Sequence, residues 1–344
     1  MQQSHQTKPY DVIIIGGGVT GVGTARDCSL RGLRVLLLER MDIATGATGR
    51  NHGLLHSGAR YAVTDKESAE ECIIENRILR HIASHCVEET EGLFISLPED
   101  DINYQANFVN SCLQAGIDAE VIDPKEAVRI EPAANPDIIG AVKVPDGAVD
   151  PFRLALSNML AAKMNGATIL TYHEVTGFMI EQGRMTGVYA MDHGRKEKRS
   201  FYGHVIVNAG GIWGQHLSML ADISINMLPA KGSLLIFGHR VNNMVLNRCR
   251  KPADADILVP GDTISLIGTT STNVPYDQIN DMKVTPEEVD ILIREGKKWF
   301  PGWPIPVFYG PMQESGLWWP RIMIVAAGMS AVGLCCWIMR SGMD

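Results

Sequence analysis

The sequence predicts an α/β protein of two interleaved units, one built on a strand–turn–helix–strand opening and one rich in β-strands. Three observations predict it. Asp11-Val-Ile-Ile-Ile15, a glycine-rich turn from Gly16 to Gly21, a helical stretch to about Leu30, and Arg34-Val-Leu-Leu-Leu-Glu39 form a βαβ unit. A second apolar strand, His204-Val-Ile-Val, runs into another glycine-rich turn, Asn208-Ala-Gly-Gly211. Between them and after them lie many short strand-like runs. The 344 residues suffice for two domains at roughly 100 to 200 residues each.

Composition narrows the function classes. Lys+Arg 31 against Asp+Glu 39 gives a formal charge of −8, so no chain-wide basic field gathers phosphate backbones, and nucleic acid is not an expected partner. Hydrophobic residues at 45% and charged residues at 20% belong to a folded chain rather than a disordered one. The seven cysteines include no CxxC pair and make neither a disulfide framework nor a zinc module, which points to a reducing cytoplasm. The N-terminus lacks the basic-then-apolar order of a secretory signal, so export by that route is not expected.

In order along the chain, residues 66–85 have helical spacing, with Cys72, Ile73, Asn76, Leu79 and Ile82 on one stripe. Residues 91–98 read as a strand stopped by Pro98, residues 108–116 as a helix ended by Gly116, and residues 140–144 as a short strand before the turn Pro145-Asp-Gly147. Asp150-Pro151 opens a helix that runs to about Met164 and closes at Asn165-Gly166. Strands are expected at 168–170, 175–180 and 186–189, with the basic run 195–199 at a solvated hairpin. Residues 231–237 and 257–270 are β-rich, and a polar helix spans about 286–296.

After about residue 298 the character changes: five of the six tryptophans lie there, and Glu314 and Asp344 are the only acids. The region 299–344 reads as aberrant, the composition expected when a gene is read out of frame. The rival expectation is an anchor, because residues 322–339 form an uncharged stretch flanked by Arg321 and Arg340. A helical span needs about twenty such residues, so that reading is marginal.

The motif Gly16-x-Gly18-x-x-Gly21 between strand and helix, with Glu39 eighteen positions after Gly21, is the dinucleotide fingerprint of a Rossmann-like unit in its required context. The first glycine makes the tight turn, the second lets backbone approach a pyrophosphate, and the third lets helix and strand pack. The helix N-terminus meets the phosphate charge. Glu39 would accept hydrogen bonds from ribose hydroxyls. NAD and FAD share the fingerprint; the extension Gly21-x3-Ala25-x6-Gly32 at the N-terminus is the flavoprotein form.

The stretch beyond the second strand is more specific. Ala44-Thr-Gly-Ala-Thr-Gly-Arg-Asn-His-Gly-Leu-Leu-His-Ser-Gly-Ala-Arg-Tyr61 resembles the corresponding segment of the FAD-dependent glycerol-3-phosphate dehydrogenases, most closely the A subunit of the anaerobic enzyme. Asn208-Ala-Gly-Gly-Ile-Trp213, Lys231-Gly-Ser233, Ile267-Gly-Thr-Thr270 and Val144-Pro-Asp-Gly-Ala-Val-Asp-Pro-Phe-Arg153 extend the resemblance over about residues 8–298. It implies a glycine/D-amino-acid-oxidase-like flavoprotein fold: an FAD-binding Rossmann-like domain interleaved with a β-rich substrate domain, incomplete at the C-terminus. The expected division is 8–65 and 146–220 for the FAD domain, 66–145 and 221–298 for the substrate domain, and 299–344 for the tail. The Ser-Gly-Val-Arg-Pro and Gly-Gly-Lys-x-x-Thr-Tyr-Arg segments of the family are not found, so weak or absent turnover is expected of this chain.

By that resemblance, the activity is oxidation of sn-glycerol 3-phosphate to dihydroxyacetone phosphate, with electrons passed to quinone through partner subunits of a membrane-associated complex on the cytoplasmic side. A sister FAD oxidase acting on an amine or hydroxy acid, and a non-catalytic remnant, are the alternatives. Carried over by motif, Gly16, Gly17, Gly18, Gly21, Glu39 and Arg40 hold the adenosine and pyrophosphate, while Thr45, Thr48 and Gly49 line the pyrophosphate and ribityl chain. Val175 meets the adenine through its backbone, and Ala209, Gly210 and Trp213 close over the cofactor; Val175 and Trp213 have core readings as well. On the substrate side, Arg50, Arg60, Tyr61, Lys231, Thr269 and Thr270 are the candidate donors, with Arg60 and Lys231 on the phosphate. His56 is the candidate to take the hydroxyl proton, forming the catalytic set with Arg60 and Lys231. No metal site is expected, since His81 and His85 with Cys86 lack a carboxylate to complete one.

Overall fold

The computed structural model describes residues 8–302 and, beyond them, the backbone of the strands Met323–Ala327 and Trp337–Arg340. The chain opens with β1 (Tyr10–Ile15), α1 (Val19–Leu30) and β2 (Val35–Leu38). The short β3 (Leu54–Leu55) precedes α2 (Lys66–Ile82), and then come β4 (Val87–Glu88), β5 (Gly92–Ser96), α3 (Asn103–Gln114), β6 (Glu120–Ile122), α4 (Pro124–Ile130), β7 (Gly140–Val144) and β8 (Gly147–Val149). After α5 (Pro151–Met164) lie β9 (Thr168–Leu170), β10 (His173–Glu181), β11 (Arg184–Asp192), β12 (Glu197–Asn208) and α6 (Gly214–Met219). β13 (Ala230–Phe237), β14 (Val245–Arg248), β15 (Ile257–Pro260), β16 (Ser265–Gly268) and β17 (Thr272–Asn273) lead to α7 (Pro286–Trp299), with β18 (Met323–Ala327) and β19 (Trp337–Arg340) last.

Two large sheets result. The first has the order β10-β11-β12-β1-β2-β9, with β19 on β12. Its central strands are parallel, and β1 and β2 are apolar and buried on both faces, as a sheet between helix layers requires. β12 is shared: its first half pairs with β11 as an antiparallel hairpin, and its second half runs parallel to β1 from Tyr10↔Gly203 to Ile15↔Asn208. The second sheet has the order β17-β13-β16-β15-β14-β5-β7-β6, with β18 on β13, and is antiparallel except where β14 meets β5. A small sheet β3-β8-β4 lies apart from both. The strands of the first sheet come from residues 10–38 and 168–208, and those of the second from 92–144 and 230–273, together with one tail strand each.

Alternation along β5 shows how the second sheet is clad. Leu93 and Ile95 pack with Leu246, Leu258 and the α7 residues Leu292 and Trp299, while Phe94 packs with Phe108 and Ile73 from α3 and α2. In the first sheet, Ile14 and Leu37 face α1 and α5 through Val22, Ala25, Ala155 and Ala162, and Ile13 and Leu36 face the β10–β11 hairpin through Val175 and Val188.

Several expectations shift. The helix over 66–85 stops at Ile82 and ends in a short turn, and its buried stripe runs through Ala69, Ile73 and Asn76, leaving Ile82 exposed at 54%. The helix expected from 108 begins at Asn103. The stretch 257–270 is two strands, because Gly261-Asp262 turns the chain between them. Several elements were not expected at all, among them α4 and β14 and the short β3, β4, β6, β8, α6 and β17. In the candidate span 322–339, residues 323–327 form β18 against β13 and residues 337–339 belong to β19 against β12, so this stretch is not one continuous helix; 328–336 lie outside the described residues. Among the described residues, no helix is long and apolar enough to cross a membrane.

Candidate functional site

The strand β1 delivers Gly16 at φ +113°, a conformation open to glycine, and a Cβ there would fall on the Ala209 carbonyl oxygen. A Cβ on Gly21 would fall on the carbonyl oxygen of Gly16, so α1 packs on the turn with no room for a side chain. Gly18 differs: a Cβ there would meet only the Thr48 hydroxyl, at 3.1 Å. Its place at the N-cap of α1, beside amides that point out of the helix, leaves room for an incoming group. Thr48 Oγ1 accepts a hydrogen bond from Val19 N at 2.9 Å. The Glu39 carboxylate accepts from Gly17 N at 2.6 Å and from Met41 N at 2.8 Å, so it also staples the turn to the end of β2.

The loop after β2 closes one side of this cradle. Arg40 stacks its guanidinium 4.1 Å above the Trp213 ring, and Trp213 Nε1 donates to Asn280 Oδ1 at 2.8 Å. Thr45 Oγ1 donates to the Asp42 carbonyl at 3.0 Å, and Gly49 sits against Ala44 and Phe152 with no space for a Cβ. On the other side, Asn208 shapes the second glycine turn: its Oδ1 accepts from Gly210 N at 3.1 Å, and its Nδ2 donates to the Gly214 carbonyl at 2.8 Å. Val175 is buried in the core beside Ile13 and Ile15, while its backbone pairs with Ala190.

A second cluster gathers in the segment that follows β3. The His56 ring lies 5.5 Å from the Tyr61 ring and 6.0 Å from that of His52. Burial, the neighbouring His52 and the Arg60 charge together press His56 down to about 3, and burial with Arg60 presses His52 to about 4, so both imidazoles are neutral at neutral pH. Burial pushes the Tyr61 hydroxyl up. Burial also lowers Arg60, against the pull of Asp256. Arg60 Nη2 donates to the Ala253 carbonyl at 3.1 Å. Its buried Nη1 makes no hydrogen bond among the described residues, and Asp256 Oδ2 stands 3.9 Å away. Asp256 itself is bound closely by Arg250 at 2.6 Å. A buried guanidinium nitrogen without an acceptor is suited to an anionic ligand.

Lys231 and Thr270, candidate substrate donors in the sequence reading, both meet Glu288. Lys231 is buried, and its Nζ donates to Glu288 Oε2 at 2.8 Å and to the Lys283 carbonyl at 2.6 Å. Thr270 Oγ1 accepts from Ser233 N at 3.0 Å and donates to Glu288 Oε1 at 3.5 Å. Their donors are committed to a carboxylate on α7, and the lysine charge is already neutralised. Thr269 uses its carbonyl to accept from Ala255 N. Arg50 is exposed, and its backbone N donates to the Ala47 carbonyl at 3.1 Å.

Sequence reasoning missed His52, which stands within the segment from Ala44 to Tyr61, and Asp256, Asn76, Arg80 and Asp146. Among the described residues no group of three or more His, Cys, Asp or Glu is arranged to hold a metal.

The family model for FAD dependent oxidoreductases matches residues 11–317. The chain belongs to that family. It is 66% identical over 291 residues to the A subunit of the anaerobic glycerol-3-phosphate dehydrogenase of Haemophilus influenzae, covering 85% of this chain and 52% of the relative. The chain thus spans about half the length of the curated relatives it matches. Among solved structures, L-proline dehydrogenase from P. horikoshii superposes with a TM-score of 0.74 at 21% identity, over 95% of this chain and 83% of the other. FAD-bound L-alpha-glycerophosphate oxidase from Mycoplasma pneumoniae gives 0.71 at 21%, over 86% and 79%. At such identities the likeness speaks for the fold.

FAD is the cofactor of this family, and the cradle fits it. The approach at Gly18 is open where a phosphate would lie, the carboxylate of Glu39 is at the end of β2, and the α1 amides face outward.

Proposed function

We propose that the chain carries the FAD and substrate sites of a glycerol-3-phosphate dehydrogenase that oxidises sn-glycerol 3-phosphate to dihydroxyacetone phosphate. The observation that carries the reading is Arg60, whose buried Nη1 has no hydrogen-bond partner among the described residues, near a neutral histidine and a tyrosine. The identity to relatives named for this activity supports it. Gly16, Gly17, Gly18, Gly21, Glu39, Arg40, Thr45, Thr48 and Gly49 would hold the adenosine, pyrophosphate and ribityl parts, Val175 the adenine, and Ala209, Gly210 and Trp213 would close the cradle. FAD, when bound, would supply the hydride acceptor for oxidation at C2 of the substrate.

The protein's own groups do the rest. Arg60 Nη1 binds the phosphate, with Arg50, Tyr61 and Thr269 supplying further donors. His56, neutral at working pH, accepts the proton from the C2 hydroxyl. Part of what depresses its basicity is the Arg60 charge. A phosphate dianion on Arg60 offsets that charge, so substrate binding itself raises the proton affinity of the base. The relatives are named as one subunit of a larger enzyme, which supports partner subunits through which electrons pass to quinone at the cytoplasmic face of a membrane.

The test is to purify the chain, load it with FAD, and add sn-glycerol 3-phosphate or glycerol anaerobically while following the flavin absorbance. Bleaching by the phosphate ester, weaker than that of a full-length relative, and none by glycerol is expected. Equal bleaching by amines or unphosphorylated hydroxy acids would overturn the assignment.

A further inference from the structure

His56 is fixed from its backbone. Asn76, on α2 and 1% exposed, turns its amide nitrogen toward three carbonyls: Leu55 at 3.3 Å, His56 at 3.1 Å and Pro145 at 3.1 Å. Arg80, one helical turn on, donates from Nε to Asn76 Oδ1 at 2.9 Å, which sets the amide with its N–H groups toward those carbonyls. The same guanidinium reaches the carbonyls of Pro145 at 3.1 Å and Asp146 at 2.8 Å. The ring closes through Asp146, whose buried Oδ1 accepts from Ser57 N at 2.7 Å. Both the carbonyl of His56 and the amide that follows it are therefore gripped, the first by Asn76 and the second by Asp146.

We propose that Asn76, oriented by Arg80, is a positioning residue that sets the His56 imidazole against Tyr61 and the substrate hydroxyl. A Leu-Leu-His-Ser-Gly segment with glycine at Gly58 has little stiffness of its own, and β3 contributes only two residues of pairing. Without the amide, the carbonyls of Leu55, His56 and Pro145 lose a donor and the loop relaxes toward other donors. The phosphate ligand is held independently, since Arg60 rests on Ala253 and Asp256. Losing Asn76 then displaces the base without displacing the anion site. The proposal rests on His56 acting as the base in the reading above.

The experiment uses the full chain loaded with FAD and carrying isotope-labelled histidine, so that the His56 ring resonance, assigned with His56→Gln, is read directly. Asn76→Asp keeps the shape and the Arg80 partner but removes the donors. It is expected to move the His56 resonance, retain the flavin, and slow glycerol phosphate-dependent bleaching about 100-fold at saturation with half-saturation unchanged, as a displacement near 1 Å does. Leu292→Ala, on the buried face of α7, serves as a control of comparable thermal destabilisation and should leave the resonance in place. Arg80→Met, which frees the amide to rotate, should shift the same resonance and serves if the Asn76 variant does not fold. An unmoved His56 resonance in a folded Asn76→Asp or Arg80→Met protein, or an equal shift in the control, overturns the proposal. Failure of the wild-type flavin to bleach would instead count against the functional reading, and the resonance comparison would still decide the placement.

Discussion

Arg60 and Lys231 are both cations with little solvent access, yet the sheets treat them in opposite ways. Lys231 on β13 meets a carboxylate at 2.8 Å and a carbonyl at 2.6 Å, and that carboxylate is also gripped by Thr285 N in the cap of α7. Arg60 leaves one nitrogen without a hydrogen bond among the described residues, with its nearest ion-pair oxygen at 3.9 Å. Burial alone therefore does not mark a ligand-binding cation. Under the proposed reading, the charge whose partner is close serves as a structural fastening, and the one whose partner stands farther off serves as the receptor.

The largest expected effect tests the fastening. Lys231→Met leaves Glu288 buried and unpaired and should cost about 3 to 5 kcal/mol in urea unfolding. Lys231→Met with Glu288→Leu should recover much of that loss. Glycerol phosphate affinity per folded molecule should be unchanged, and a large loss of affinity would return Lys231 to the phosphate site. Next, Gly18→Val should weaken FAD binding by about 2 to 3 kcal/mol, through lost charge-assisted hydrogen bonds, while leaving the melting temperature nearly alone. Gly21→Val, by contrast, should lower both, because its Cβ would collide with Gly16. Flavin titration beside thermal melts separates the two.

Arg60→Ala sharpens the comparison from the receptor side. It should weaken glycerol phosphate binding by roughly 1.5 to 3 kcal/mol, the value of a hydrogen bond to a charged group, with flavin content unchanged. Its stability cost should be well below that of Lys231→Met. The smallest effect concerns acid. His52 and His56 sit at about 4 and about 3 in the fold against 6.5 when exposed. The unfolded chain therefore binds more protons between these values, and stability falls as pH drops from about 6.5 toward 3. His56→Gln should make that acid limb shallower, and an unchanged slope in pH-dependent unfolding would show that His56 is not held neutral.

Legibility followed the range of the interactions. The Asp150-Pro151 signal gave α5 its start, and Asp150 indeed caps Phe152 N and Arg153 N at 2.9 Å. The same signal stands at Asp123-Pro124 and opens α4, but only seven helical residues follow, too few for a period to show. The strand β14, Val-Leu-Asn-Arg, hides two polar residues that its neighbours bury, Arg248 against Asp100 and Asn247 near Asp146. The fingerprint could be read because its demands are local: glycines, a strand and an acid within one βαβ unit. That Glu288 answers Lys231 could not be read, because it depends on α7 folding back over β13. Nor could the grip of Asn76, a polar residue on an otherwise apolar stripe.

The cradle's two walls have a consequence for the order in which the molecule can be made. Gly16 and Gly21 emerge early in synthesis, but the wall they press on is Ala209, and the neighbour that β1 needs on its inner side is the far half of β12. The nascent N-terminal segment can form its helix and pair β1 with β2. It has no closed dinucleotide site until the stretch through Trp213 has left the ribosome. Closing so long a loop is slow relative to local helix formation, and the apolar β1 and β2 stay exposed meanwhile. Flavin capture is thus a late event in the life of the nascent chain, and the interval before it is when the protein is most open to misassembly and degradation.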